Sequence, residues 1–210
     1  MTDSSSDMLR REIAAAAARL IADSGLDYVS AKRKAARQLL GDAAARKVST
    51  PDNDEVDAAL REHLALFDDN HAERVERRRR VAAALMRRLE AFRPFLTGAV
   101  WKGIVAEHAP IHLQLFHDNP KDVAIHLLND GIRFDVETTA HFRDARRDEV
   151  EAIVFWWHDE PVLLSLYDED DLRGALRGGP AGAERGDLAA LLGRLQTPAD
   201  TRRLVPGASQ

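Results

Sequence analysis

The periodicity of the apolar residues changes at Pro94, and this change divides the 210-residue chain into two regions. Before Pro94, apolar residues recur every three or four positions, as at Ala82, Leu85 and Leu89, which is the spacing of an amphipathic helix. After Pro94, apolar and polar residues alternate over short segments, which is typical of strands. We therefore predict an α+β protein with a helical region of about four helices over residues 1–94. A mixed β-sheet with flanking helices is expected over residues 95–196, and a mobile tail over residues 197–210.

Capping residues and chain breakers give provisional bounds for the elements. Ser30 is expected to cap the second helix and Gly41 to end it, whereas Asn119 followed by Pro120 is a strong helix start. A hairpin is predicted around Asp159. The predicted helices cover residues 8–24, 30–40, 54–67, 72–92, 120–129, 168–176 and 186–195. The predicted strands cover residues 97–105, 111–117, 132–136, 149–158 and 161–167, of which the fourth is expected to be central because residues 152–157 are apolar on both faces.

Composition and charge exclude several classes of protein. The chain has no cysteine, so it has no disulfide, no thiolate metal site and no cysteine nucleophile. No apolar run reaches the roughly 20 residues of a membrane span, and the acidic start differs from a secretory signal, so we expect a cytoplasmic protein without a membrane partner. Alanine abundance and the excess of arginine over lysine are typical of bacteria with GC-rich genomes. The net charge of −5 divides into +2 before residue 95 and −7 after it, which does not favour nucleic acid overall.

One segment of the second region, residues 95–167, resembles part of a known protein family. Gly98-Ala99 ends the first predicted element after Pro94, and His112-Leu113-Gln114 lies in the next predicted strand. The order of strand, turn, strand and helix over residues 95–167 resembles DNA polymerase beta-like nucleotidyltransferases. In that family a Gly-Ser pair binds the triphosphate, and an Asp-x-Asp on the next strand holds two magnesium ions together with a later carboxylate. The resemblance implies that Glu149 or Glu151 would be that third carboxylate.

The residues at these positions depart from the family's chemistry. Ala99 has no hydroxyl, and His112 and Gln114 lack the negative charge that gathers hard cations. The resemblance therefore implies a non-catalytic module that binds a nucleotide, a nucleic acid or a protein, with no cofactor. Two alternatives remain open, namely an active transferase with an atypical magnesium site and a DNA-binding regulator. The segment 111–116 is equally explained as an ordinary alternating strand with a polar outer face.

Other polar clusters provide weaker candidates for a site. His108, His112, His117 and Glu151 could supply imidazole and carboxylate ligands for zinc or iron. No pair of these histidines has the compact spacing of a helical metal site, and scattered histidines are more often surface residues. We therefore predict no metal.

A dense acidic cluster follows the last long predicted strand. Asp168, Asp171 and Arg173 are candidate ligand-binding residues because α/β proteins place ligands at the carboxyl ends of strands. The alternative is helix capping by Asp168, with Asp171 in the favoured first turn of the helix and Arg173 paired with one of these carboxylates.

Basic residues of the helical region are the candidates for nucleic-acid contact. The stripe formed by Arg77, Arg78, Arg79 and Arg80 could contact phosphates. The alternative is a solvated helix face in which Glu73 and Glu76 lie in i,i+4 relation to Arg77 and Arg80. Residues 12–40 resemble the opening helices of TetR-type regulators, although no recognition helix follows Gly41. The sequence contains no P-loop, no Gly-x-Gly-x-x-Gly and no Gly-x-Ser-x-Gly.

Overall fold

The structure is a computed structural model that describes residues 3–142, 148–177 and 184–196. Within these residues the chain forms eight α-helices and a six-stranded mixed sheet, which confirms the α+β class and the four helices before the sheet. The helices are Asp3–Ser24 (α1), Tyr28–Ala45 (α2), Asn53–Phe67 (α3), His71–Arg88 (α4), Gly98–Lys102 (α5), Pro120–Asn129 (α6), Glu169–Arg177 (α7) and Leu188–Gln196 (α8). The strands are Phe95–Thr97 (β1), Ile111–Phe116 (β2), Asp135–Thr139 (β3), Val150–Trp157 (β4), Glu160–Tyr167 (β5) and Arg185–Gly186 (β6).

Local capping explains where the N-terminal helices begin. The side chain of Asp27 accepts a hydrogen bond from the Ser30 N–H at 3.0 Å, so Asp27 and not Ser30 caps α2. Gly41, with φ of 76°, kinks α2 instead of ending it. At α3 the side chain of Asp52 accepts from the Glu55 N–H while the Glu55 carboxylate accepts from the Asp52 N–H. This capping box satisfies two backbone donors that would otherwise lack partners.

The six strands are ordered β3-β4-β5-β2-β1-β6, and β2 and β5 pair in parallel while all other neighbours pair antiparallel. The predicted hairpin is confirmed, because β4 and β5 are joined through His158 and Asp159, which both have positive φ. β4 is an inner strand, between β3 and β5, but the prediction that it is covered on both sides is wrong, since Trp156 is 72% exposed. The central strands are β2 and β5. The strand expected to start at residue 132 starts at Asp135 and forms an edge, with Val136 exposed.

The two faces of the sheet have different coverings. The core face carries Leu113 and Leu164 and packs against α4, α6 and α8. The opposite face carries His112, Gln114 and Ser165, because side chains alternate along a strand and paired residues share a face. At one end of the opposite face, Phe116 and Tyr167 pack with α7.

The buried apolar residues form two main cores. One is built from α1, α2 and α3, where small alanines let the helices pack closely. The other joins the sheet to α4, α6 and α8 and includes Leu85 and Met86 of α4. Along the chain, the boundary between the first core and the second therefore lies between Phe67 and His71. The change of periodicity at Pro94 lies within the part of the chain that forms the second core.

Segment 97–105 is not the strand that its apolar residues predict. Gly98, with φ of 67°, turns the chain out of β1 into the short helix α5, and Gly103 ends that helix at φ of 72°. The predicted tail at 197–210 lies outside the described residues. Among the described helices, none is long and apolar enough to cross a bilayer.

Candidate ligand-binding site on the sheet

The turn after β1 and the start of β2 bring together three of the residues that the resemblance singles out. Gly98 and Ala99 begin α5, and the pairing of Thr97 with His112 places the His112 side chain beside Gly98. A Cβ atom added to Gly98 would lie 3.8 Å from Nδ1 of His112. Gly98, Ala99 and His112 line one pocket, and Gln114 follows His112 on the same face of β2.

The parallel pairing of β2 with β5 adds Ser165 to these residues. Gln114 is the register partner of Ser165, and the hydroxyl of Ser165 lies 2.8 Å from Nε2 of His112. Ser165 is fully buried, and Gln114 is 4% exposed. A buried polar group is costly without a partner, so this hydrogen bond stabilises the placement of the His112 ring.

Arg185 completes the group from the far edge of the sheet. It pairs with Thr97, which also pairs with His112, so it reaches the opposite face from β6. Its Nη1 donates to Oε1 of Gln114 at 2.5 Å, and its guanidinium stacks on the ring of Phe142 at 4.5 Å. We call His112, Gln114, Ser165 and Arg185 the sheet-face cluster.

The electrostatics of the sheet-face cluster differ from those of a magnesium site. Burial, together with the charge of Arg185, lowers the pKa of His112 to about 4, so the imidazole is neutral at pH 7. Burial also lowers the pKa of Arg185, although nearby Tyr167 and Glu184 raise it. An arginine guanidinium does not lose its proton in proteins, so Arg185 stays charged. The cluster therefore contains a cation and no carboxylate.

The hydrogen bonding of Arg185 is incomplete within the described part of the chain. Its Nε atom is buried without a hydrogen-bond partner, and no described carboxylate forms an ion pair with it. A guanidinium carries five N–H donors in a planar fork that matches carboxylate and phosphate groups. A partly buried guanidinium with an unused N–H donor can bind an anion.

The predicted third carboxylate does not join the sheet-face cluster. Ala152 pairs with Ser165 and so shares the opposite face, which puts the adjacent Glu151 on the core-face side of β4. Glu149 accepts a hydrogen bond from the hydroxyl of Thr138 at 2.8 Å, next to the edge strand. The expectation that Glu149 or Glu151 lines one cleft with His112 and Gln114 is therefore not met, because the alternation of β4 sends Glu151 to the other face.

An acidic cleft of about 530 Å³ gathers several of the other candidates at the end of β5. Glu149, Glu151, Asp168 and Asp171 line it. Asp171 lies 3.0 Å from Nε2 of His141, and the backbone carbonyl of Asp168 accepts from the Asp171 N–H. Both readings of this cluster, as a ligand site and as the first turn of α7, thus remain compatible with its position. Arg173 is exposed and forms none of the ion pairs found among the described residues.

The histidines considered as metal ligands are spread over the molecule. His108 packs near Gly25, while His117, at the far end of β2, bonds to Asp122 at 2.8 Å. Within residues 3–142, 148–177 and 184–196, no group of three or more metal-ligating side chains is assembled.

The arginine stripe of α4 is not a single exposed surface. Arg78 is 4% exposed, and its guanidinium donates to Glu160 and to the backbone carbonyls of the loop before β2. Arg79 donates to the carbonyls of Val100 and Trp101. Arg77 pairs with Glu160, and only Arg80 shows the expected pairing with Glu76 along the helix. Arg78 and Arg79 therefore hold segment 100–109 against α4.

Sequence reasoning missed Ser165 and Arg185. Ser165 carries a weak signal, because it is the one hydroxyl residue within the apolar run Pro161–Leu166. Arg185 follows a glycine-rich stretch and has no sequence signal that would connect it with Gln114. Comparison of the chain with protein-family models, with curated proteins and with solved structures finds no match.

Proposed function

We propose that this protein is a non-catalytic module with a nucleotidyltransferase-like frame, which binds a phosphate-bearing ligand such as a nucleotide directly, without a metal ion. One observation carries the proposal: the opposite face presents Arg185 beside the positions, His112 and Gln114, at which the family would hold two magnesium ions. A guanidinium and a metal ion can both neutralise a phosphate, but the guanidinium needs no carboxylate ligands.

The chemistry of the neighbouring side chains supports binding in preference to catalysis. Phosphoryl transfer needs charge stabilisation at the transferred group and a means of orienting the nucleophile. His112 is neutral and already bonded to Ser165, and Gln114 is bonded to Arg185. Neither offers the paired negative charge that would position magnesium ions. Arg185 can bind an anion through the N–H groups that Gln114 does not use.

The test is calorimetric titration of the full chain with ATP, once in EDTA and once with Mg²⁺. We expect the same affinity in both buffers. Arg185→Gln should weaken binding about tenfold or more, because a charge-assisted hydrogen bond is lost. The matched control is Arg87→Gln, since Arg87 is exposed on α4, away from the sheet-face cluster.

Two results would contradict the proposal. Equal binding by Arg185→Gln and the unchanged protein would remove Arg185 from the site. Binding that requires Mg²⁺ or Mn²⁺ and releases pyrophosphate would instead identify an active transferase.

A further inference from the structure

The pocket lined by Gly98, Ala99 and His112 lies where the N-terminal helices meet the sheet. It has a volume of about 300 Å³ and is enclosed by the turn between α1 and α2, by α3, and by the segments around α5 and the start of β2. Pockets at the junction of two packed units are frequent ligand sites, and this volume is at the small end of their range. A ligand of about ten non-hydrogen atoms would suit it.

The walls of this junction pocket are largely apolar. Ile21, Leu26 and Leu60 contribute from the helices, and Ile104 and Ala109 contribute from the sheet side. These side chains offer dispersion contacts and no charge. Burial of an apolar ring here would be favourable because it removes apolar surface from water on both sides.

One polar atom is turned toward the pocket. Nε2 of His112 is bonded to Ser165, while Nδ1 is the ring nitrogen on the side of Gly98. Within the described residues, Nδ1 has no hydrogen-bond partner. The hydroxyl of Tyr28, another lining residue, is already bonded to Asp57. The pocket thus has a largely apolar wall with one neutral hydrogen-bonding group from the sheet, Nδ1 of His112, and the exposed residues Asp27 and His108 also line it.

The two sides of the pocket are tied together by polar contacts. Asp57 of α3 accepts from Tyr28 of α2 at 2.5 Å and from Lys102 of α5 at 2.6 Å. Gly25, with φ of 63°, approaches His108 so closely that an added Cβ would lie 3.1 Å from the Cβ of His108. These contacts hold the pocket open in one shape, which reduces the ordering cost of binding.

We infer that the junction pocket binds a small uncharged ring compound that carries one hydrogen-bonding group, with that group on Nδ1 of His112. This site does not depend on an anion at Arg185. It uses Nδ1 of His112, whereas the anion is bound by Arg185, so both ligands can be bound at once.

Indole and indene are suitable probes because they have nearly the same shape and only indole carries an N–H. Methyl-detected NMR of the full chain should show intermolecular nuclear Overhauser effects from indole to Ile21, Leu26 and Ile104. Indene should bind about three- to tenfold more weakly. Ala99→Leu, which places a larger side chain in the pocket, should weaken indole binding about tenfold or more. Ala84→Leu, at an exposed position of α4, is the control and should bind as the unchanged protein does.

The outcomes separate this inference from the proposed function. Indole contacts at other methyl groups, or equal binding by Ala99→Leu when that variant retains its folded methyl spectrum, would overturn the inference. If Ala99→Leu fails to fold, the contacts of indole in the unchanged protein still decide. Loss of ATP binding in Arg185→Gln with unchanged indole binding would show that the two sites are separate.

Discussion

Replacement of Glu160 by glutamine should lower the free energy of unfolding by about 3 kcal/mol, at the lower end of the cost of breaking a buried ion pair. Glu160 is 3% exposed and accepts from Nε of Arg78 at 2.5 Å and from Nε of Arg77 at 2.7 Å. Glutamine has the same shape and can still accept one of these bonds, so the loss is mainly that of the negative charge. The charge of Arg78, which is 4% exposed, would then lack its counter-ion.

Urea unfolding followed by tryptophan fluorescence measures this loss. Trp101 is buried and stacked under the guanidinium of Arg194 at 3.7 Å, so its emission reports on the second core. For a protein of this size, 3 kcal/mol corresponds to a fall in melting temperature of about 6–12 °C. The control is Glu76→Gln, which removes the exposed pair between Glu76 and Arg80 on α4 and should lower the free energy of unfolding by less than about 0.5 kcal/mol.

The stability cost of Glu160→Gln should also depend on pH. Burial raises the pKa of Glu160, but the hydrogen bonds from Arg77 and Arg78 outweigh it and leave the pKa below its ordinary value. A carboxyl whose pKa is lowered by folding stabilises the protein above its unfolded pKa, and this stabilisation is lost as the pH falls through the folded pKa. The difference between the unchanged protein and Glu160→Gln should therefore shrink below about pH 4.3. A cost under about 1 kcal/mol at pH 7, or one that is independent of pH, would refute this reasoning.

Further predictions concern packing and the junction of the two cores, and each is checked by the shift of the urea midpoint. Gly186→Ala should lower the free energy of unfolding by about 1–3 kcal/mol, because the added Cβ would lie 2.1 Å from the ring of Trp101. Gly193→Ala, in open space within α8, should raise it by about 0.5–1 kcal/mol. Equal effects at the two glycines would contradict the close packing of Gly186 against Trp101. Tyr28→Phe should cost about 1.5 kcal/mol through loss of its hydrogen bond to the Asp57 carboxylate, and an unchanged midpoint would show that this bond does not tie α2 to α3.

Local signals predicted elements well where a short segment contains all the information. Asn119 caps α6 through the Lys121 N–H, with Pro120 in the first turn, as its sequence indicates. The alternation of β2 correctly predicts a strand with His112 and Gln114 on one side. These features depend on contacts within a few residues, which the chain makes wherever the segment lies.

Predictions failed where an apolar segment is compatible with more than one environment. Residues 97–105 are apolar enough for a strand, but the positive φ of Gly98 and Gly103 and the bonds from Arg79 hold them as a short helix and a loop. The apolar stretch of β4 predicts burial on both faces, yet Trp156 is exposed because no helix covers that end of the opposite face among the described residues. Periodicity reports the side-chain pattern and not which partner will cover it.

The side-chain chemistry at residues 112 and 114 is determined by the sequence alone, because a histidine and a glutamine cannot supply two carboxylates in any fold. What surrounds those two residues was decided by tertiary structure. The parallel pairing of β2 with β5 brings Ser165 to His112 across 53 positions, and β6 brings Arg185 to Gln114 across 71. Strand register is set by the burial of one whole face of the sheet, which depends on residues far apart in the chain. The position of Arg185 in the sheet-face cluster, and the separation of Glu151 from that cluster, are therefore decided only when the sheet forms.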